Sequence, residues 1–288
     1  MRYIQKIGTP FEPQGKAITQ AYLNRRWQHD HYVSFHYKRV DLRGMDALLV
    51  QEQQDATGQS YCSYCMRRLF LQRCAGHEAN VTLEHIVPNH IDTNTQRADI
   101  VQYQRYPCLD NNHLTICHKG ELPSEKTSTQ ITEVPYPHFV SYHNLVASCN
   151  GTMLESGSIV DSHCCNNRRG CDYVEPLFLD ANGAQSIGYN PDGTLDFNDT
   201  AIDATWFNRL NLTADWLRLV RHLWYLVAQS VYTAEQVEEA ISNVALRQDI
   251  IDDIDRENLI TAWVDRAKTP IWTLFAEYNW FYSYYQNK

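Results

Sequence analysis

The feature that most restricts what this chain can become is a Cys-x-x-Cys pair, Cys62 and Cys65, with further cysteines at 149 and at the doublet 164–165. A Cys-x-x-Cys turn presents two thiolates to one tetrahedral zinc, and a second pair completes the site. Cys149 is available as a third ligand, and either Cys164 or Cys165 as the fourth. Thiolates hold zinc at about 2.3 Å, so such a centre pins together strands too short to bury much by themselves. A redox role for Cys62 and Cys65, as in thioredoxin-like proteins, calls for a βαβ setting that the surrounding sequence lacks. Nine cysteines is an odd number, and together with a Cys-x-x-Cys that favours metal ligation in a reducing compartment over a disulfide framework. The opening MRYIQKIGTP has no apolar core of a signal peptide, and no run of 18 apolar residues follows it. A cytoplasmic protein without a membrane span is the expectation.

At 288 residues the chain is long enough for one large or two smaller cores. Three stretches divide it. Residues 1–56 hold two helical patterns, 16–29 and 43–54, flanking the basic and aromatic run HYVSFHYKRV. Residues 57–200 hold the cysteines, an alternating strand pattern from Val81 to Val87 closed by Pro88, and a polar, proline-interrupted insertion over about 89–142. They end on a small β-hairpin around the turn Asn190-Pro191-Asp192-Gly193. From Ala201 apolar residues recur at helical spacing (Trp206, Phe207, Leu210, Leu217, Val220, Leu223, Trp224, Val227), and further helices are predicted near 233–246, 256–267 and 270–285. The expected class is α+β, a zinc-stapled core between a helical, basic front and a mainly helical back.

The formal charge of −9 argues against a protein that coats nucleic acid. It is unevenly spread, however: residues 1–80 carry 11 Lys+Arg against 7 Asp+Glu, and residues 181–288 carry 8 against 15. Nucleic acid is expected at the front and something else at the back. The dense aromatics Trp272, Phe275, Tyr278, Trp280, Phe281, Tyr282, Tyr284 and Tyr285 suit a partner interface, with packing of these helices on the core as the alternative.

Read in order, the chain gives Cys62-x-x-Cys65, then Glu84-His85-Ile86-Val87-Pro88, then Asn144-Leu145-x-x-x-Cys149, then Cys165-Asn166-Asn167-Arg168-Arg169-Gly170. This succession resembles the HNH, or ββα-metal, endonucleases, whose pattern runs C-x-x-C, D/E-H-x-x-P, N-L-x-x-x-C and C-N-x-x-K-G. The opening residues, the run Leu48 to Gln53, and the stretches Glu175-Pro176-Leu177 and Tyr189 to Gly193 resemble more narrowly the HNH subunit of Septu anti-phage defence systems and its retron-associated relatives, over roughly residues 1–225.

The resemblance implies a ββα-metal core with structural zinc on Cys62, Cys65, Cys149 and Cys165, the last chosen over Cys164 by spacing. His85 would be the general base, and Glu84 with Asn166 (or Asn167) would hold a Mg²⁺ or similar ion. Asn144 would orient the His85 loop. Arg168 and Arg169, where the family carries lysine, would contact the phosphate backbone. It also implies an SMC/ABC-type ATPase partner, a nucleic-acid substrate (DNA by default, RNA such as tRNA as the alternative) and, in retron systems, a reverse transcriptase with its RNA–DNA product. A non-catalytic, zinc-stapled nucleic-acid-binding adaptor is a further alternative. Cys108, His113, Cys117 and His118 offer a second metal site, whereas Cys74, Cys108, Cys117 and Cys171 read more simply as buried free thiols.

Overall fold

The computed structural model describes residues 1–122, 124, 127–151, 163–197, 205–255 and 271–288. In chain order its main elements are α1 (Glu12–Asp30), α2 (Met45–Glu52), β1 (Val81–His85), α3 (Asn94–Tyr103), β2 (Leu114–Thr115), β3 (Tyr136–Pro137), β4 (Leu145–Cys149), α4 (Asn166–Arg169), α5 (Ala181–Gln185), β5 (Ile187–Tyr189), β6 (Leu195–Phe197), α6 (Thr205–Arg209), α7 (Asp215–Gln229), α8 (Ala234–Glu239), α9 (Val244–Ile254), α10 (Ile271–Ala276) and α11 (Trp280–Gln286). The class is α+β, with small sheets of two strands each. Among the described residues no helix is long and apolar enough to cross a membrane.

β1 and β4 form the antiparallel pair on which the rest is hung, with Val81 opposite Cys149, Glu84 opposite Val146 and His85 opposite Leu145. Every residue of β4 is buried, the polar Ser148 included. α2 packs on this pair with Leu48 and Leu49 buried, and Gln53 at its end seals the join. The Gln53 amide donates to the carbonyls of Tyr61 (2.8 Å) and Ala147 (3.0 Å) and accepts from the Ala147 N–H (2.8 Å).

α1 starts earlier than its apolar spacing predicts, because Pro13 fits a first helical turn, where its missing N–H costs nothing. Inside this helix a Cβ on Gly15 would lie 2.2 Å from the Tyr142 ring, so only glycine admits the ring. Thr19 accepts from the Tyr142 N–H (3.2 Å) and donates to the Val140 carbonyl (3.0 Å). α1 thus clamps the segment leading into Asn144.

The polar insertion has structure of its own. Thr93 and Gln96 make a reciprocal capping box that starts α3, and β2 pairs in parallel with β3. The expected hairpin is β5–β6, with Gly193 at φ +79° in its turn.

Farther on, the expected helix 233–246 is broken, because the Asn243 side chain caps the Leu246 N–H at 3.1 Å and starts α9. The expected helix 256–267 lies outside the described residues, as do Pro123 and most of the segment between Asn150 and His163. The described part of the stretch 270–285 forms two short helices, α10 and α11, parted at 277–279.

The C-terminal aromatics are committed to the chain itself. Trp272, Phe275, Tyr278, Phe281 and Tyr285 are buried. Trp224 donates to the Phe275 carbonyl (2.9 Å), Trp272 to the Val237 carbonyl (2.8 Å), and the Tyr284 hydroxyl accepts from the Tyr189 N–H (2.9 Å). The expectation that this cluster presents free interface anchors is corrected for these five residues: they form the packing between α7, α8 and the two terminal helices.

Candidate metal centre and active site

Cys62 and Cys65 lie on the turn after α2, Cys149 ends β4, and Cys165 immediately precedes α4. Their four sulfur atoms lie within 4.8 Å of one another and all four residues are buried. Cys62 Sγ is 3.8 Å from Cys165 Sγ, and Cys65 Sγ is 3.7 Å from Cys149 Sγ. Four thiolates about 2.3 Å from a tetrahedral zinc stand about 3.8 Å apart along each edge, so the donor set and its spacing fit that ion. Burial pushes the Cys65 and Cys165 thiols up, while hydrogen bonds from Cys164, Cys165 and Cys62 draw Cys149 down. Four thiolates packed this closely need a cation among them.

The second metal site that Cys108, His113, Cys117 and His118 could offer does not assemble. Among the described residues the only metal-competent group of His, Cys, Asp and Glu is the Cys62 cluster. His113 is instead hydrogen-bonded to Asp110 (2.8 Å). Cys108 and Cys117 are buried as expected, but Cys74 is exposed and Cys171 only half-buried.

His85 ends β1. Its Nε2 lies 3.1 Å from the Phe139 carbonyl, which can only accept, so the ring proton sits on Nε2 and Nδ1 keeps a lone pair. Burial pulls its pKa down to about 4, and the nearby Arg169 cation adds to this against the opposing bond to Phe139. The ring is therefore neutral at neutral pH, below the range that an unperturbed imidazole suggests.

Asn144 holds the turn after His85. Its Oδ1 accepts from the Val87 N–H (2.7 Å), its amide donates to the carbonyls of Val87 (2.9 Å) and His138 (2.8 Å), and its own carbonyl accepts from the Ile86 N–H (2.9 Å). His138, which no sequence motif singles out, completes the brace. Its Nδ1 accepts from the Cys117 N–H (3.2 Å), leaving Nε2–H for the Pro88 carbonyl (3.0 Å).

Glu84 and Thr82 share one face of β1. Asn166 Nδ2 is 3.5 Å from Thr82 Oγ1, which puts Asn166 on the Glu84 side, whereas Asn167 turns away to the Asn150 carbonyl. The Glu84 carboxylate is already engaged: Arg169 Nη1 donates to its Oε1 at 2.5 Å. Burial raises the Glu84 pKa, and Arg169 opposes the rise.

Arg169 corrects the expectation from sequence. Expected on the phosphate backbone, it is 2% exposed and spends its donors inside the protein. Beyond Glu84 it donates to the carbonyls of His85 (2.7 Å), Ile86 (2.5 Å) and Asp172 (3.2 Å) and to the hydroxyls of Tyr103 (2.8 Å) and Tyr64 (3.3 Å). It binds α4, the end of β1, α3 and the cysteine turn into one unit. Arg168 is exposed. Set against protein-family models, curated proteins and solved structures, the chain matches none of them.

Proposed function

We propose that this chain is a zinc-stapled hydrolase of phosphodiester bonds of the HNH type, with His85 as general base. The observation that carries this reading is the placement of His85: a neutral imidazole anchored through Nε2 on Phe139, with Nδ1 unprotonated, at the end of a strand paired to the one that delivers Cys149 to the thiol cluster. Such a base takes a proton from water without first having to lose one. The succession of the β1–β4 pair, the Cys165 ligand and the single turn α4 supports a ββα-metal arrangement.

Glu84 and Asn166, on one side of β1, would hold a Mg²⁺ or similar ion, which when bound neutralises charge on the scissile phosphate and leaving oxygen. Glu84 would then have to share its carboxylate with Arg169. Exposed Arg168, and the basic first 80 residues, would meet the nucleic acid. DNA is the favoured substrate, with RNA such as tRNA the alternative. The Septu resemblance supports a place in anti-phage defence beside an SMC/ABC-type ATPase and, in a retron setting, a reverse transcriptase with its RNA–DNA product.

One observation favours a second reading, a zinc-stapled module that binds nucleic acid without cutting it: the buried Arg169–Glu84 pair already supplies the cation at the carboxylate. One experiment separates the two. Purified wild type and His85→Ala are incubated with plasmid DNA and with total RNA, with Mg²⁺ or Mn²⁺ and with EDTA. Metal-dependent cutting by wild type that is lost in His85→Ala supports the hydrolase. Binding with no cutting of either substrate, or equal cutting by both proteins, overturns it.

A further inference from the structure

The acceptor that fixes the His85 tautomer is a main-chain carbonyl, and a carbonyl is only as well placed as the backbone that carries it. It belongs to Phe139, in the polar insertion and outside the HNH motifs. The preceding carbonyl, that of His138, accepts from the Asn144 amide at 2.8 Å, so two successive peptides hold both residues of the histidine loop. They sit in a tight turn after β3, where the N–H groups of Val140 and Ser141 both donate to the Pro137 carbonyl (3.0 and 3.2 Å). Thr19 ties the downstream side of this turn to α1. On the upstream side, the His138 N–H donates to the Thr115 carbonyl (2.9 Å) and the Cys117 N–H to His138 Nδ1 (3.2 Å), both within the insertion. Of these upstream bonds only that from His138 Nε2–H, to the Pro88 carbonyl (3.0 Å), crosses to the exit of β1. His138 is fully buried, and packing alone does not call for an imidazole there. The site asks for an acceptor on one edge and a donor on the other, which an apolar side chain of the same size lacks.

We propose that His138 is a positioning residue for the base. Its bond to Pro88 holds the Phe139 carbonyl against His85 Nε2, and so keeps the proton there and the lone pair on Nδ1. The insertion thereby supplies the group that orients the base, a task that a carboxylate performs in the familiar catalytic triads. His138 itself touches no reacting atom. This inference rests on the reading of His85 as general base, but its test reads the His85 ring directly.

The test is the tautomer of His85 in the full-length protein with isotope-labelled histidine, read from long-range proton–nitrogen NMR spectra in which His85→Ala identifies the signals. Wild type is expected to show a protonated Nε2 and an unprotonated Nδ1. So is His138→Gln, whose amide donates to Pro88 from the place of the ring Nε2. His138→Leu, and His138→Asn, which is too short to reach Pro88, are expected to show the two nitrogens averaged between tautomers. In both, kcat for cleavage should fall by up to about 100-fold with KM unchanged. A folded His138→Leu with His85 still locked overturns the proposal, as does averaging in His138→Gln. If His138→Leu fails to fold, the contrast between the Gln and Asn variants decides, and equal spectra overturn the proposal. A wild type that cuts neither DNA nor RNA, with the nitrogen pattern as expected in every variant, would sink the phosphodiester reading and leave the positioning role standing.

Discussion

The two histidine-loop residues that the HNH pattern pairs, His85 and Asn144, differ in what they cost when removed. The His85 side chain is only half-buried, and its ring hydrogen-bonds the Phe139 carbonyl. His85→Ala should leave zinc content and the denaturation midpoint close to wild type. A positioned general base contributes roughly 10²- to 10⁴-fold, so cleavage should fall by that factor in a plasmid or RNA assay. Asn144 is fully buried and satisfies three backbone groups with its side chain. Each buried polar group left unpaired costs about 1–3 kcal/mol, so Asn144→Ala should unfold several kcal/mol more easily in a urea titration. A midpoint equal to that of wild type would contradict this. Arg169 is a sharper case of the same distinction. Breaking a buried ion pair from one side costs about 3–5 kcal/mol, so Arg169→Met should be strongly destabilised. Adding Glu84→Gln, which removes the stranded charge, should recover part of the loss. No recovery in the double variant would show that the carbonyl contacts of Arg169 outweigh its pairing with Glu84. The C-N-x-x-K-G register locates Arg169 but not its task, because a cation in a motif looks the same whether it faces phosphate or a buried carboxylate. Only burial separates the two.

At the scale of elements, what repeats or is punctuated by turn and cap residues is legible in the sequence, and what depends on distant contacts is not. The strand carrying Glu84 and His85, the hairpin at Asn190 to Gly193 and the grouping of Cys62, Cys65 and Cys149 are legible from spacing and residue type, although the strand ends two residues before the expected Val87. Cys165 is set apart from Cys164 only by the family resemblance. The break between α8 and α9 is hidden, although Asn243 is a favoured capping residue, because the apolar period carries on past it. The C-terminal aromatics mislead for a different reason. Composition shows that such residues must be buried against something, and cannot show that the something is the same chain. Their burial yields a firm prediction for α10 and α11. Glu277, between them, pairs with Arg67 (2.5 Å), and Tyr278 lies against Cys65 Sγ (3.7 Å) beside the metal centre. Removing everything after residue 268 would strand the buried Arg67 charge and open the thiol cluster to water. The truncated chain should be insoluble or lose its zinc on purification. A soluble, zinc-loaded truncation would show that the terminal helices are dispensable to the core and free for a partner.

Across the whole molecule, one histidine couples the two ends of the chain. His77 lies between the cysteine turn and β1, and it meets Glu238 of α8 (2.7 Å) through Nε2 and Glu277 (3.1 Å) through Nδ1. It also stacks on Phe70, with ring centroids 4.3 Å apart. Burial works against the charged ring, but the hydrogen bonds and the attraction of both carboxylates outweigh it and raise the pKa from 6.5 to about 9. Since the folded state holds this proton more tightly than the unfolded chain, the bridge contributes its full stability below about pH 6.5. That contribution is lost as pH rises through 9. Every tenfold gain in proton affinity on folding corresponds to about 1.4 kcal/mol, but Glu238 is one-third exposed and solvent screens its share. A contribution on the order of 1–3 kcal/mol is therefore expected. Other groups titrate in the same window, so the measurement must be a difference. Urea midpoints of wild type and His77→Gln, taken from pH 6 to pH 9.5, should lie farthest apart at the acid end and converge at the alkaline end. A constant gap across that range would mean that His77 holds the terminal helices by packing on Phe70 and not by its charge.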